Sequence, residues 1–241
     1  MILRHLPPHL TFLFLAGCGG AEPPPAHAGH DRHQQRHHEE NHRQNGGPLV
    51  HRFEDPEAYA REWDDPARDA WQKPQEVIAL MGIEPGMTVA DLGAGTGYFL
   101  GHLSRAVGEH GKVLALDIEP AMIEYIRERA RREHLANVEA RLVTTDDPSL
   151  ATGEAHRILV VNTWHHIPYR TVYSRKLARG LARGGAVFVV DFTHEARIGP
   201  PPHARVAPPD VESELSAGGL EARTIEEPLP EQYVVVGRVS R

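Results

Sequence analysis

From Met87 onward the sequence repeats one phrase: a short apolar run that fits a strand, then a longer amphipathic run that fits a helix. MTVADL is followed by GYFLGHLSRAVG, and KVLALD by PAMIEYIRERARREH, with Pro120 at the first helical position. NVEARLV reads as a third strand. HRILVVNT leads into YRTVYSRKLARGL, and GAVFVVDF is followed by PPDVESELSAGGL. Alternation of this kind predicts an α/β fold with a mostly parallel sheet and helices on both faces, because parallel neighbours need a crossover long enough to hold a helix. The last two apolar runs, EARTIEE and QYVVVGRV, are joined only by PLP, so they pair antiparallel. The expectation is a seven-stranded sheet ending in an antiparallel C-terminal hairpin. Upstream, DPEAYAREW and DPARDAWQKPQEVIALMGI read as two short helices, each opened by Asp-Pro. The folded domain is expected to cover residues 49–241. The sequence shows no internal repeat.

The first strand runs into VADLGAGTGYF, a glycine-rich loop of the kind that holds a nucleotide. The dinucleotide fingerprint G-x-G-x-x-G presents a pyrophosphate to a helix N-terminus. Here the glycines fall at Gly93, Gly95 and Gly97, and Tyr98 stands where the third dinucleotide glycine belongs. Asp91, two residues before the first glycine, opposes a pyrophosphate and suits a cationic cofactor. S-adenosylmethionine has no phosphate and carries a sulfonium and an α-ammonium, and glycines let its methionyl part lie against the backbone. Asp117 ends the second strand, 20 residues beyond Gly97, where an acid accepts both ribose hydroxyls. Dinucleotide enzymes share that feature, so the glycine spacing and Asp91 carry the distinction.

With these residues in place, the chain resembles the class I S-adenosylmethionine-dependent methyltransferases from about Leu49 to Arg241. The supporting stretches are LALDIEP, TTDD, VVNTWHHI and LARGGAVFVVDF. The resemblance implies a Rossmann-like seven-stranded sheet and S-adenosylmethionine as cofactor. It places Asp91, Gly93, Gly95 and Gly97 at the methionyl moiety, Asp117 at the ribose and Ile118 against the adenine. Asp146 falls by the adenine amino group, with Asp147 as its rival, and Asn162 lies at the carboxyl end of the fourth strand. Within the class the chain looks most like the small-molecule enzymes, including the quinone-biosynthesis type.

Methyl transfer needs alignment and exclusion of water, and a base only where the acceptor arrives protonated. His165 and His166 follow the fourth strand and are the candidate catalytic bases; the alternative is that they only line the pocket. Tyr59, Trp63, Arg68, Trp71 and Gln72 are candidate lid residues, or aromatics packed on the sheet. RIGPPPHARVAPP is a stiff segment suited to walling an acceptor site. The expected acceptor is a small molecule. A formal charge of −7 argues against a general nucleic-acid binder. No Asn-Pro-Pro-Tyr signature follows the fourth strand, which disfavours amino methylation of nucleic acid or protein glutamine. The arginines and glutamates of Arg127 to Glu133 read as a solvated helix face.

The N-terminus has a character of its own. Arg4 precedes the short apolar stretch Leu10 to Ala16, and LAGC then resembles the lipobox of bacterial lipoprotein signal peptides. The resemblance implies that residues 1–17 are removed, that Cys18 carries lipid and that the mature chain is membrane-anchored; the alternative is a cytoplasmic protein. Residues 18–48 have the composition of a disordered tether. They include His27, His30, His33, His37, His38 and His42, suited to loose divalent-metal binding without a fixed ligand spacing. Cys18 is the only cysteine, so no intramolecular disulfide forms. Two other readings of the chain stay open at this point. One is a tethered, non-catalytic ligand- or metal-binding protein of the same fold, and the other is an NAD-dependent oxidoreductase.

Overall fold

The computed structural model describes residues 55–239. The signal-like segment, Cys18 and the histidine-rich stretch lie outside the described residues. Four short helical pieces form an N-terminal strap. Helix α1, Pro56–Trp63, is capped by Asp55, whose side chain accepts the Ala58 N–H. A 3-10 turn, Pro66–Arg68, then leads into α2, Asp69–Gln72, and α3, Pro74–Met81. The sequence predicts one helix where these last three pieces stand. Pro74 explains the break, because the residue before a proline is driven out of the right-handed helical region. Lys73 accordingly sits at φ +49°.

The sheet follows the expected alternation. Strand β1 is Thr88–Leu92, β2 Lys112–Asp117, β3 Val138–Leu142 and β4 Ala155–Val161. Strand β5 is Leu181–Phe192, β6 Glu221–Ile225 and β7 Gln232–Arg238. Their spatial order is β3-β2-β1-β4-β5-β7-β6. The pairs from β3 through β5 are parallel, while β7 runs antiparallel to both β5 and β6. The crossovers are α4, Leu100–Val107, α5, Pro120–Arg132, α6, Arg170–Gly180, and α7, Pro208–Ala217. Among the described residues no helix is long and apolar enough to cross a membrane.

Central strands buried on both faces read as apolar runs, and β4 does so over Ile158–Val161 and β5 over Ala186–Val190. Side chains alternate across the sheet, so Ile158, Val160, Val187 and Val189 join one core with Trp164, Leu177 and Leu215. Their neighbours Leu159, Val161, Phe188 and Val190 join the other core, with Leu100, Leu103 and Ile126. The sheet thus ends in a rigid carboxyl edge, onto which the strap is tied. Asp64 pairs with Arg129 of α5 at 2.7 Å and accepts the Thr96 hydroxyl at 2.9 Å, and Arg129 also donates to the Thr96 carbonyl at 3.0 Å. Both charges are largely shielded, with side chains 15% and 19% exposed. Arg129→Ala is expected to lower unfolding stability by about 2 kcal/mol in urea titrations, since the pair joins charged partners. It should also speed tryptic cleavage of the strap in the otherwise folded protein.

Candidate active site

The glycine loop is held to β2 through its backbone. The N–H groups of Gly93 and Ala94 donate to the Leu116 carbonyl at 2.8 and 3.1 Å. The Gly95 N–H donates to Asp117 Oδ2 at 2.8 Å, while Asp117 Oδ1 accepts the Glu119 N–H at 3.0 Å. Asp117 is therefore pinned by two backbone donors, each oxygen keeping a free lone pair. Burial raises its pKa. Gly93 and Gly95 have φ of +74° and +56°, a region that disfavours side chains. Space excludes them as well: a Cβ at Gly93 would collide with Thr163, and one at Gly95 would stand 3.2 Å from the Trp63 ring.

The strap residues converge on this loop. The Tyr59 and Trp63 rings stack at 4.5 Å, and Trp63 lies over Gly95. The Arg68 guanidinium sits 3.9 Å from the centre of the Tyr98 ring and donates to the Trp63 carbonyl and to Gln72 Oε1, at 2.8 and 3.0 Å. Tyr98, in place of a third dinucleotide glycine, is thus the floor under a buried cation, and its hydroxyl donates to Asp69. Trp71 packs on Phe192 at 5.9 Å. Gln72 donates to Gln232 at 2.6 Å, and Gln232 donates to Asn162 at 2.5 Å. Asn162 has φ +52°, which asparagine tolerates better than most residues.

Two buried side-chain atoms among the described residues have no hydrogen-bond partner, Asp91 Oδ2 and Arg68 Nε. One is a carboxylate oxygen at the end of β1, the other a cationic N–H of the strap. Burial pushes Asp91 up to about 7, with the Asp117 charge adding to it and the Arg68 charge opposing. Burial likewise pulls Arg68 down to about 10, against the pull of Tyr98, Asp64, Asp91 and Asp69. A buried polar atom without a partner is costly unless a ligand completes it.

The other expected residues are distributed as follows. Ile118 is 42% exposed beside Asp117, open to a flat ring. Asp146 stands on an exposed turn, where the Thr144 hydroxyl donates to it at 2.8 Å and holds its pKa down, and Lys176 Nζ is 3.6 Å away. That turn begins near Asp117, because the Val143 N–H donates to the Asp117 carbonyl at 2.9 Å. His165 is turned inward, with its Nδ1 2.9 Å from Asp191 Oδ2, while His166 is exposed with its ring 4.1 Å from that of His165. Trp164 is fully buried and donates to Glu214 of α7. The proline-rich segment is gathered by Arg205, which donates to the carbonyls of Thr193, His194, Ala196, Ile198 and Pro200. Asp191, Gln232 and Asp64 are additions that sequence reasoning missed. The signal for Asp191 is present: it is an acid at the carboxyl end of a parallel strand, where such sheets bind ligands.

Residues 89–185 match the family model described as a methyltransferase domain. A solved S-adenosylmethionine-dependent methyltransferase of Aquifex aeolicus is 29% identical, with a TM-score of 0.72 over 77% of this chain and 99% of that one. The fold is that of the class I methyltransferases. The YcgJ protein of Bacillus subtilis shares the fold at 15% identity, with a TM-score of 0.57 over 70% of this chain and 99% of its own. The ubiquinone/menaquinone biosynthesis C-methyltransferases UbiE of Klebsiella pneumoniae and Salmonella arizonae are each 30% identical over 117 residues, 48% of this chain. The chain spans about half the length of these curated relatives, 47%.

The cofactor that the family and the structural neighbours imply is S-adenosylmethionine. The residues present fit it: an unpartnered carboxylate oxygen and an unpartnered guanidinium N–H match the ammonium and carboxylate of its methionyl end. An Asp91 that held the ammonium would do so as a carboxylate, so below about pH 7 binding would have to displace a proton. Affinity for S-adenosylmethionine is expected to rise with pH by up to tenfold per unit and to level off above about pH 7. Calorimetry in buffers of different ionisation enthalpy should show the proton released. For the free protein the sign is reversed. The unfolded chain ionises Asp91 first, so its contribution lowers stability as pH rises from about 4 to about 7.

Proposed function

We propose that the protein is an S-adenosylmethionine-dependent methyltransferase acting on a small-molecule acceptor. The observation that supports it most is the pair of unpartnered buried atoms of opposite polarity, Asp91 Oδ2 and Arg68 Nε, beside the glycine loop. In this reading Asp91 and Arg68 hold the amino-acid end, and the loop backbone at Gly93, Gly95 and Gly97 runs along its chain. Asp117 binds the ribose hydroxyls, Ile118 packs on the adenine, and Asp146 or Asp147 lies towards the adenine amino group. Asn162, fixed by Gln232, marks the border with the acceptor side. When bound, the cofactor supplies an electrophilic methyl on a sulfonium. The strap excludes water, and the loop gathered by Arg205 walls the acceptor.

The readings diverge in binding. Full-length protein titrated side by side with S-adenosylmethionine and NAD is expected to prefer the former. A preference for NAD overturns the proposal, and binding without transfer to any small acceptor favours the non-catalytic alternative. Asp117→Ala is expected to weaken S-adenosylmethionine by about 2–3 kcal/mol in calorimetry while the fold, checked by circular dichroism, survives. Arg68→Met should lose a similar amount for S-adenosylmethionine but little for 5′-methylthioadenosine, which lacks the amino-acid end. Equal losses for the two ligands would remove Arg68 from that contact.

For location, we propose a membrane-anchored lipoprotein tethered through Cys18, on the strength of the LAGC stretch. In a bacterium that processes lipoproteins, the chain should start at Cys18 with lipid attached, and Cys18→Ser should abolish both processing and membrane partitioning. A soluble wild-type chain that keeps Met1 would refute the anchor.

A further inference from the structure

At the carboxyl ends of β4 and β5, His165 and Asp191 form a shielded pair that the cofactor contacts leave unused. Their side chains are 6% and 3% exposed, and Nδ1 lies 2.9 and 3.1 Å from the two carboxylate oxygens. Asp191 Oδ1 also accepts the N–H of Phe192 at 2.9 Å, which fixes the carboxylate in its plane. An ionised carboxylate only accepts, so Nδ1 carries the hydrogen, and in the neutral imidazole Nε2 is then the acceptor. The other groups around the pair do not compete for it. Tyr233 of β7 faces Asp191 across the ladder, but burial raises its pKa and its hydroxyl is given to the Val206 carbonyl. Glu214 of α7 is engaged by Trp164 and Arg170, and His166 contributes its ring beside His165. Next to Asp191, Phe192 and Trp71 form an aromatic wall, with Gly199 pressed against the Phe192 ring.

We propose that His165 is the general base, that Asp191 is its positioning residue, and that the acceptor is a weakly acidic ring hydroxyl, a phenol that arrives neutral. This rests on the methyltransferase reading. The step balances. The acceptor's proton goes to His165 Nε2, and its electron pair forms the bond to the methyl carbon. The carbon–sulfur bond breaks with its pair kept by sulfur. The positive charge lost from sulfur ends on the imidazolium, beside the Asp191 carboxylate. An acceptor that is already anionic needs no such pair, so the dyad selects for the neutral one.

The test uses full-length protein with catechol, neutral near pH 7, and 4-nitrophenol, largely ionised just above it. His165→Ala is expected to lower kcat for catechol by about 10²–10⁴-fold, with much smaller losses for 4-nitrophenol and an unchanged Kd for S-adenosylmethionine. Asp191→Asn should act in the same direction and make the catechol rate climb with pH where the wild type is level. Asp191→Glu should restore part of it. Nitrogen-15 NMR of the His165 ring should show the Nδ1–H tautomer in the wild type and its loss in Asp191→Asn. Equal losses for the two phenols, or a loss confined to His166→Ala, would overturn the dyad's role. Failure to methylate either phenol while S-adenosylmethionine binds would overturn the acceptor class alone. Failure to bind S-adenosylmethionine would overturn the methyltransferase reading beneath it.

Discussion

Two carboxylates buried side by side at the ends of adjacent strands set the terms for the rest of the molecule. Asp91 and Asp117 are 3% and 7% exposed, and the β1–β2 register that pairs Leu92 with Leu116 brings their strand ends together. Burial and mutual repulsion both favour protonation, which is why Asp91 is pushed up to about 7. The structure relieves the two unequally. Asp117 receives two backbone N–H groups, whereas one oxygen of Asp91 receives none. A fold indifferent to ligands gains nothing from such an arrangement; a site for a cation does.

The strap answers that negative charge, and its course explains otherwise unconnected contacts. Arg68 is carried over Tyr98 by a chain that is tied down before it at Asp64 and after it at Gln72. The first tie is to the β1–β3 half of the sheet, through α5 and Thr96. The second reaches the β4–β7 half, through Gln232 and Asn162. The strap therefore spans both halves. The unfavourable backbone of Asn162 is kept because its side chain completes the amide chain from Gln72.

The fold was legible because its elements are locally self-consistent. β4 and β5 are apolar enough for burial on both faces, and Pro120 starts α5 where the sequence places it. What escaped is contact between side chains that no sequence pattern links. Nothing near Asp191 announces His165, 26 residues away, and nothing near Gln72 announces Gln232, 160 residues away. The strap's break at Lys73 is readable from Pro74, which disfavours helical backbone at the residue before it. The glycine loop is the opposite case: Asp91, Gly93, Gly95 and Asp117 belong to one strand–loop–helix–strand unit, whose parallel β1–β2 pairing sets both acids at neighbouring strand ends. Asp146 belongs to an exposed turn, whose position depends on Lys176 of another helix as much as on its own neighbours.

The sheet order changes direction between β1 and β4, and open α/β sheets bind ligands in the crevice outside such a reversal. The two buried acid clusters lie on opposite sides of it, Asp91 with Asp117 on one and Asp191 on the other. On the proposed chemistry this division has a direct consequence. The charge that moves begins on the sulfonium and ends on His165, against Asp191, while the ammonium assigned to Asp91 keeps its charge throughout. The imidazolium is therefore formed beside an ionised acid already in place, without reorganisation of the protein. The second acid, fixed in plane by the Phe192 N–H, gives the departing charge a comparable place to go.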